Sequence, residues 1–267
     1  MFFSQSINIH IAMQNLKIMT TIEIRKFKEM DLKDATIIEG IPSVGLVSTI
    51  VATYLIDYLK LDQICAVDSE EFPPTSMIYA TKPKFPARIY ANSEKKIGVF
   101  LAEFTPTPQL HRPIAKKFLA WCKEQQCTRI ISTEGLPLEK LNIQNKEKSK
   151  SNHVYGIGST ERARKQLHDA QIEQFNIGMI YGVGGVLLNE GRWDDFDVIT
   201  LIIEAFPDIP DALAAAKIIE AIDALIPHLS IETKPLYEES KKVEQQVKAL
   251  RKQADISQTD AYKPMYH

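Results

Sequence analysis

The run FDVITLIIEAF, Phe196–Phe206, places apolar side chains on both alternations of an extended chain, so a strand here must be covered on both faces. PDIP follows at 207–210, and then DALAAAKIIEAIDALIPHL, 211–229, which reads as a helix. A doubly buried strand leading into a long helix is the signature of an α/β domain.

The same alternation continues outward. DATIIEG (34–40) and TRIISTEGLP (128–137) read as buried strands, and IPSVGLVSTIVATYLIDYLKL (41–61) as a helix apolar all round. QICAVDSEEFPP (63–74) is a strand running into a proline-stopped loop. SMIYAT (76–81), ARIYAN (87–92) and KIGVFLAEF (96–104) follow as strands, and QLHRPIAKKFLAWCKEQQ (109–126) as a helix. HVYGIGS (153–159) is a strand feeding the helix STERARKQLHDAQI (159–172), with Ser159 or Thr160 as N-cap. IGMIYGVGGVLLNEG (177–191) reads as strand, glycine turn and helix. The expected fold is a three-layer α/β/α sandwich around a mostly parallel sheet.

Around this domain, assigned to residues 19–232, lie segments of another kind. Residues 1–18 are apolar but interrupted by Gln5, Asn8, Gln14 and Asn15, with no basic leading segment. They are expected to be a loosely ordered extension, not a signal peptide or membrane span. The lysine-rich stretch 139–152 reads as an exposed loop. KPLYEESKKVEQQVKALRKQ (234–253), within an expected C-terminal helix over 233–253, is a charged rod with a thin apolar seam at Leu236, Val243, Val247 and Leu250. Residues 254–267 have the composition of a flexible linker and tail.

Net charge is -2, so no whole-protein field favours nucleic acid or an anionic membrane. Cys65, Cys122 and Cys127 are odd in number and lack C-x-x-C spacing, which points to reduced thiols in a cytoplasmic protein. The histidines, at 10, 111, 153, 168, 228 and 267, include no pair three or four apart, so metal binding has no support.

Two glycine loops invite an enzyme reading. Gly40 and Gly45 have phosphate-loop spacing, but Leu46 and Val47 stand where lysine and serine or threonine are required. Gly182, Gly184 and Gly185 open a helix whose amides are suited to an anion, although glycines there also serve a tight turn and close packing. Glu70, Glu71, Glu103 and Glu134 fall at strand ends, where open α/β sheets bind ligands. They have no histidine or cysteine partner close in sequence, and G-x-S-x-G is absent. No catalytic or cofactor-binding residue is assigned.

Five stretches in order carry a family likeness: IIEGIPSVGLVSTIVATYLIDYL, AVDSEEFPP, GMIYGVGGVLLNEG, EAFPDIPDALAAAKIIEAID and LYEESKKVEQQVKAL. Over roughly residues 35 to 250 the chain resembles the proteasome assembly chaperone family, second-subunit type, in its archaeal-like form. The resemblance implies a sandwich similar to nucleoside phosphorylases without an established enzymatic site. It also implies assembly into a homo-oligomer and binding to core proteasome α subunits. The family's docking signature, hydrophobic-Tyr-any at the extreme C-terminus, falls on Met265, Tyr266 and His267. The rival readings are a phosphorylase-like or ligase-like enzyme binding an anionic small molecule at Gly182–Gly185, and an oligomeric scaffold with an unrelated partner.

Overall fold

The structure is a computed structural model that describes residues 21–137, 153–207, 209–238 and 240. In chain order the elements are β1 (Glu23–Lys26), β2 (Thr36–Gly40), α1 (Val47–Tyr58), β3 (Asp62–Asp68), β4 (Met77–Tyr79) and β5 (Lys82–Lys84). They continue with β6 (Ala87–Asn92), β7 (Ile97–Ala102), α2 (Pro108–Glu124), β8 (Arg129–Pro137), β9 (Tyr155–Gly158) and α3 (Glu161–Asp169). The last are β10 (Glu173–Gln174), α4 (Gly182–Trp193), β11 (Asp197–Ala205) and α5 (Ala212–Leu225).

Nine strands form one sheet in the order β1-β3-β6-β7-β2-β8-β11-β9-β10, and β4 and β5 make a separate hairpin. The central strands β7, β2, β8 and β11 are mutually parallel. On one flank β1, β3 and β6 run antiparallel to their inner neighbours, and on the other β9 runs antiparallel to β11. The expected mostly parallel sheet is therefore a mixed one with a parallel centre. Only residues 93–96 separate β6 from β7, too few for a crossover, so the pair closes as a hairpin.

Adjacent residues of the central strands face opposite layers, as a period of two requires. Ile38, Val99, Ile131 and Ile199 join the core beneath α1 and α5, whereas Ile37, Phe100, Ile130 and Val198 join the core beneath α2 and α4. The helices pair accordingly, α1 against α5 and α2 against α4. The three-layer expectation is met. Each isoleucine buried this way contributes roughly 2 kcal/mol of transfer free energy, which is why runs such as Phe196–Phe206 fix the layer order.

Local signals are equally direct. Thr160 caps α3, its Oγ1 accepting from the Ala163 amide at 3.0 Å, while Ser159 Oγ donates to the Phe196 carbonyl. Cys65, Cys122 and Cys127 are buried free thiols, and burial pushes Cys65 up to about 11. The helical residues 234–238 begin the charged rod with Leu236 buried in the α1–α5 core and Tyr237 Oη donating to Glu220 Oε1 at 2.6 Å. Residues 1–18, the lysine-rich stretch 139–152 and the 254–267 tail lie outside the described residues.

One expected strand is absent. Residues 177–181 form irregular chain, with Ile177, Met179 and Tyr181 at 91%, 72% and 62% exposure. The chain pairs with β9 only through Glu173 and Gln174 of β10 and then leaves the ladder, so this apolar run lies outside the sheet.

Candidate functional site

Helix α1 leaves β2 over one face of the sheet, and α2 leaves the adjacent parallel strand β7 over the other. Such divergence opens a crevice at the carboxyl ends of the strands, and a cavity of about 1090 Å³ lies there. Its lining brings together the ends of β2 and β8, the β10 region and the chain entering α4.

Register builds the floor. Glu39 of β2 stands opposite Ser132 of β8, which stands opposite Thr200 of β11. Glu39 is 1% exposed. Its Oε1 accepts from the Ile41 amide and its Oε2 from Ser132 Oγ, both at 2.7 Å. Burial pushes the Glu39 carboxyl up to about 7, against the two hydrogen bonds, which favour its charged form. Glu134, two residues beyond Ser132 on the same strand, also lines the cavity. Burial first, and repulsion from Glu39 second, hold its carboxyl well above the usual range. Thr200 Oγ1 is buried without a hydrogen-bond partner among the described residues.

Helix α4 lies on this floor through glycine. A Cβ at position 184 would stand 2.7 Å from both Glu134 Oε1 and Ser132 Oγ, and one at 185 would stand 2.3 Å from the Ile180 carbonyl oxygen. Gly182 adopts φ +76, the left-handed region that suits glycine. The Gly182–Gly185 turn thus serves close packing. An anion here would add charge beside two carboxyls, in a lining with no lysine or arginine among the described residues, so the rival anion-binding reading gains no electrostatic support.

The first glycine pair is likewise structural. A Cβ on Gly40 would meet Ala52 Cβ at 2.3 Å, and Gly45, at φ +64, accepts from the Asp211 amide through its carbonyl at 2.8 Å.

The four acidic residues named from sequence part company. Glu70 and Glu71 are exposed after β3. Glu103 pairs with Arg88, whose Nη2 is 2.5 Å from Glu103 Oε2 and whose side chain is 1% exposed. Tyr79 Oη donates to the other carboxylate oxygen of Glu103, tying the β4–β5 hairpin to the sheet. Only Glu134 reaches the cavity. Its partner Glu39 was missed, although a lone carboxyl in the otherwise apolar TIIEG strand is a signal in itself.

Among the described residues no group of three or more His, Cys, Asp or Glu side chains is arranged to hold a metal ion. No helix among them is long and apolar enough to cross a membrane. Met265, Tyr266 and His267 lie outside the described residues.

This architecture recurs in solved structures. Pyrococcus furiosus PbaA, described as an archaeal homolog of proteasome-assembly chaperone, is 28% identical, with a TM-score of 0.78 over 90% of this chain and 96% of that one. Pyrococcus furiosus PbaB, described as an archaeal proteasome activator, shares the fold at 22% identity and a TM-score of 0.72, over 87% of this chain and all of that one. An uncharacterized protein of Methanocaldococcus jannaschii is 24% identical over 250 residues, 92% of this chain and 99% of its own length. Residues 37–251 match the family model described as the PAC2 family, and the chain belongs to that family.

Proposed function

We propose that this chain is a non-enzymatic proteasome assembly chaperone or activator-like protein, cytoplasmic and homo-oligomeric, that binds core proteasome α subunits through Met265, Tyr266 and His267. The observation that carries this reading is the likeness to PbaA at 28% identity, spanning nearly the whole of both chains. The related idea that the sandwich is kin to nucleoside phosphorylases rests on resemblance and assigns no chemistry.

The docking end has a physical rationale. Tyr266 offers an apolar body with a polar tip, and the α-carboxylate, ionised at neutral pH, pairs with a lysine or with amides in a receiving pocket. A single tail binds weakly because ordering it costs entropy. Several tails on one oligomer, each tethered through residues 254–264, raise one another's effective concentration and bind with avidity.

The test is capture of core proteasome by the full chain, by a chain lacking Met265–His267, and by Tyr266→Ala. Both altered chains are expected to keep their fold and oligomer size and to lose capture. Undiminished capture by both overturns tail docking.

A further inference from the structure

We propose that the cavity at the carboxyl ends of β2 and β8 binds a small organic cation, an amine or guanidinium carried on an apolar body.

The first ground is the composition of the walls. At about 1090 Å³ the cavity is large enough for a small organic ligand. Glu39, Glu134 and Glu173 line it, and among the described residues no lysine or arginine does. The one basic lining side chain, His111, is turned to the carbonyl of Pro106, 3.1 Å from its Nε2. At the rim His153 meets Glu173 at 3.0 Å. Tyr155 and Phe175 add aromatic surface, whose faces attract cations.

The second ground is an unmet valence. Glu103, on a neighbouring strand end, has Arg88 and Tyr79. Glu39 has two donors of its own. The carboxyl of Glu134 has neither a hydrogen-bond donor nor a basic partner among the described residues, yet it lines the cavity. Glu134 is only partly buried, so its carboxyl is reachable from the cavity, and a cation entering there supplies the partner it lacks. The same entry favours the charged forms of both carboxyls, so protons leave as the cation binds near neutral pH. Apolar adsorption at Ile177 and Met179 would release none.

Calorimetry on the full chain at pH 7, in two buffers of different ionisation enthalpy, tests this with phenethylammonium, butylguanidinium, the neutral isostere 2-phenylethanol and inorganic phosphate. Saturable binding of at least one cation, at least tenfold tighter than the alcohol and accompanied by proton release, is the expected result. Glu134→Gln should weaken that cation tenfold or more. If this variant fails to fold, the comparison of cation with alcohol on the unaltered chain decides. The proposal is overturned if neither cation saturates, if the alcohol binds as tightly, or if phosphate is preferred. Tighter binding of a lysine tripeptide than of either free cation also overturns it, by making a polypeptide the occupant. None of these outcomes depends on the C-terminal tail, so failure here leaves proteasome docking standing.

Discussion

Glu103, just beyond the end of β7, and the Glu39 and Glu134 carboxyls, on β2 and β8, lie at the carboxyl ends of neighbouring central strands, yet burial treats them differently. Glu103 is enclosed with a cation: Arg88 reaches it at 2.5 Å, also donates from Nε to Tyr90 Oη at 2.9 Å, and lies 5.3 Å from the ring centre of Tyr79. Among the described residues Glu39 and Glu134 are held without one, by a serine, an amide and the close approach of Gly184. The first arrangement fastens a hairpin to a sheet. The second leaves charge demand unmet at the floor of an open cavity, a poor way to stabilise a fold and a sound way to receive a ligand. The two arrangements distinguish an acid that fastens the fold from acids available to the proposed cation.

The contrast breaks most visibly at Arg88. Arg88→Met should lower unfolding free energy by about 3 to 5 kcal/mol at neutral pH, because it strands the Glu103 carboxylate without its partner. Urea denaturation reads this directly. Adding Glu103→Leu to the same chain should restore much of the loss, since the stranded charge is what costs stability. A loss below about 1 kcal/mol in the single variant would show that Arg88 and Glu103 are not the coupled pair the geometry describes.

Glu39→Gln should act with the opposite sign. The folded chain holds the Glu39 proton up to about pH 7, whereas the unfolded chain releases it near the ordinary value of 4.5. Between those values the folded state binds more protons, so stability falls as pH rises, by on the order of 3 kcal/mol across the window. Below pH 4.5 both states are protonated and the variant should match the parent; above pH 7 it should be the more stable chain. Glu134, which burial also holds well above its ordinary value, keeps some pH dependence in either chain. Chemical denaturation at pH 4.5 and pH 8 checks this, and a variant less stable than the parent at pH 8 contradicts it.

The layers of this molecule were legible because they rest on short-range pattern. Ile37 and Ile38, or Ile130 and Ile131, declare burial on two faces whatever lies beside them. Pairing was less legible. Strand direction on the flanks depends on loops such as 93–96, and the apolar run 177–181 has a strand's pattern although pairing with β9 stops at Gln174. The cavity floor was least legible of all. Glu39 and Ser132 meet through the parallel pairing of β2 with β8, a contact between residues far apart in sequence. Glu134 was named as a strand-end carboxylate, but nothing local distinguishes it from Glu103, whose cation lies on a different strand. Such sites are written in register, which a single sequence carries only indirectly.

The smallest expected effect tests the floor itself. Ser132→Ala removes the hydroxyl that donates to Glu39 Oε2 at 2.7 Å and leaves Oε1 with its amide. At pH 8, where Glu39 is charged in the folded chain, the lost bond is to an anion and should cost about 1 to 2 kcal/mol. At pH 5 the Glu39 carboxyl is protonated, the lost bond is between neutral groups, and the cost should drop to about 1 kcal/mol or less. The same removal raises the Glu39 carboxyl further, because the serine favours its charged form. The decline in stability between pH 4.5 and neutrality should therefore extend to higher pH in Ser132→Ala. In a Glu39→Gln background, denaturation should show the serine substitution with the same cost at pH 5 and pH 8. If the pH dependence of the serine effect survives that background, the proton being read belongs to Glu134 or another group, and the floor is not organised around Glu39.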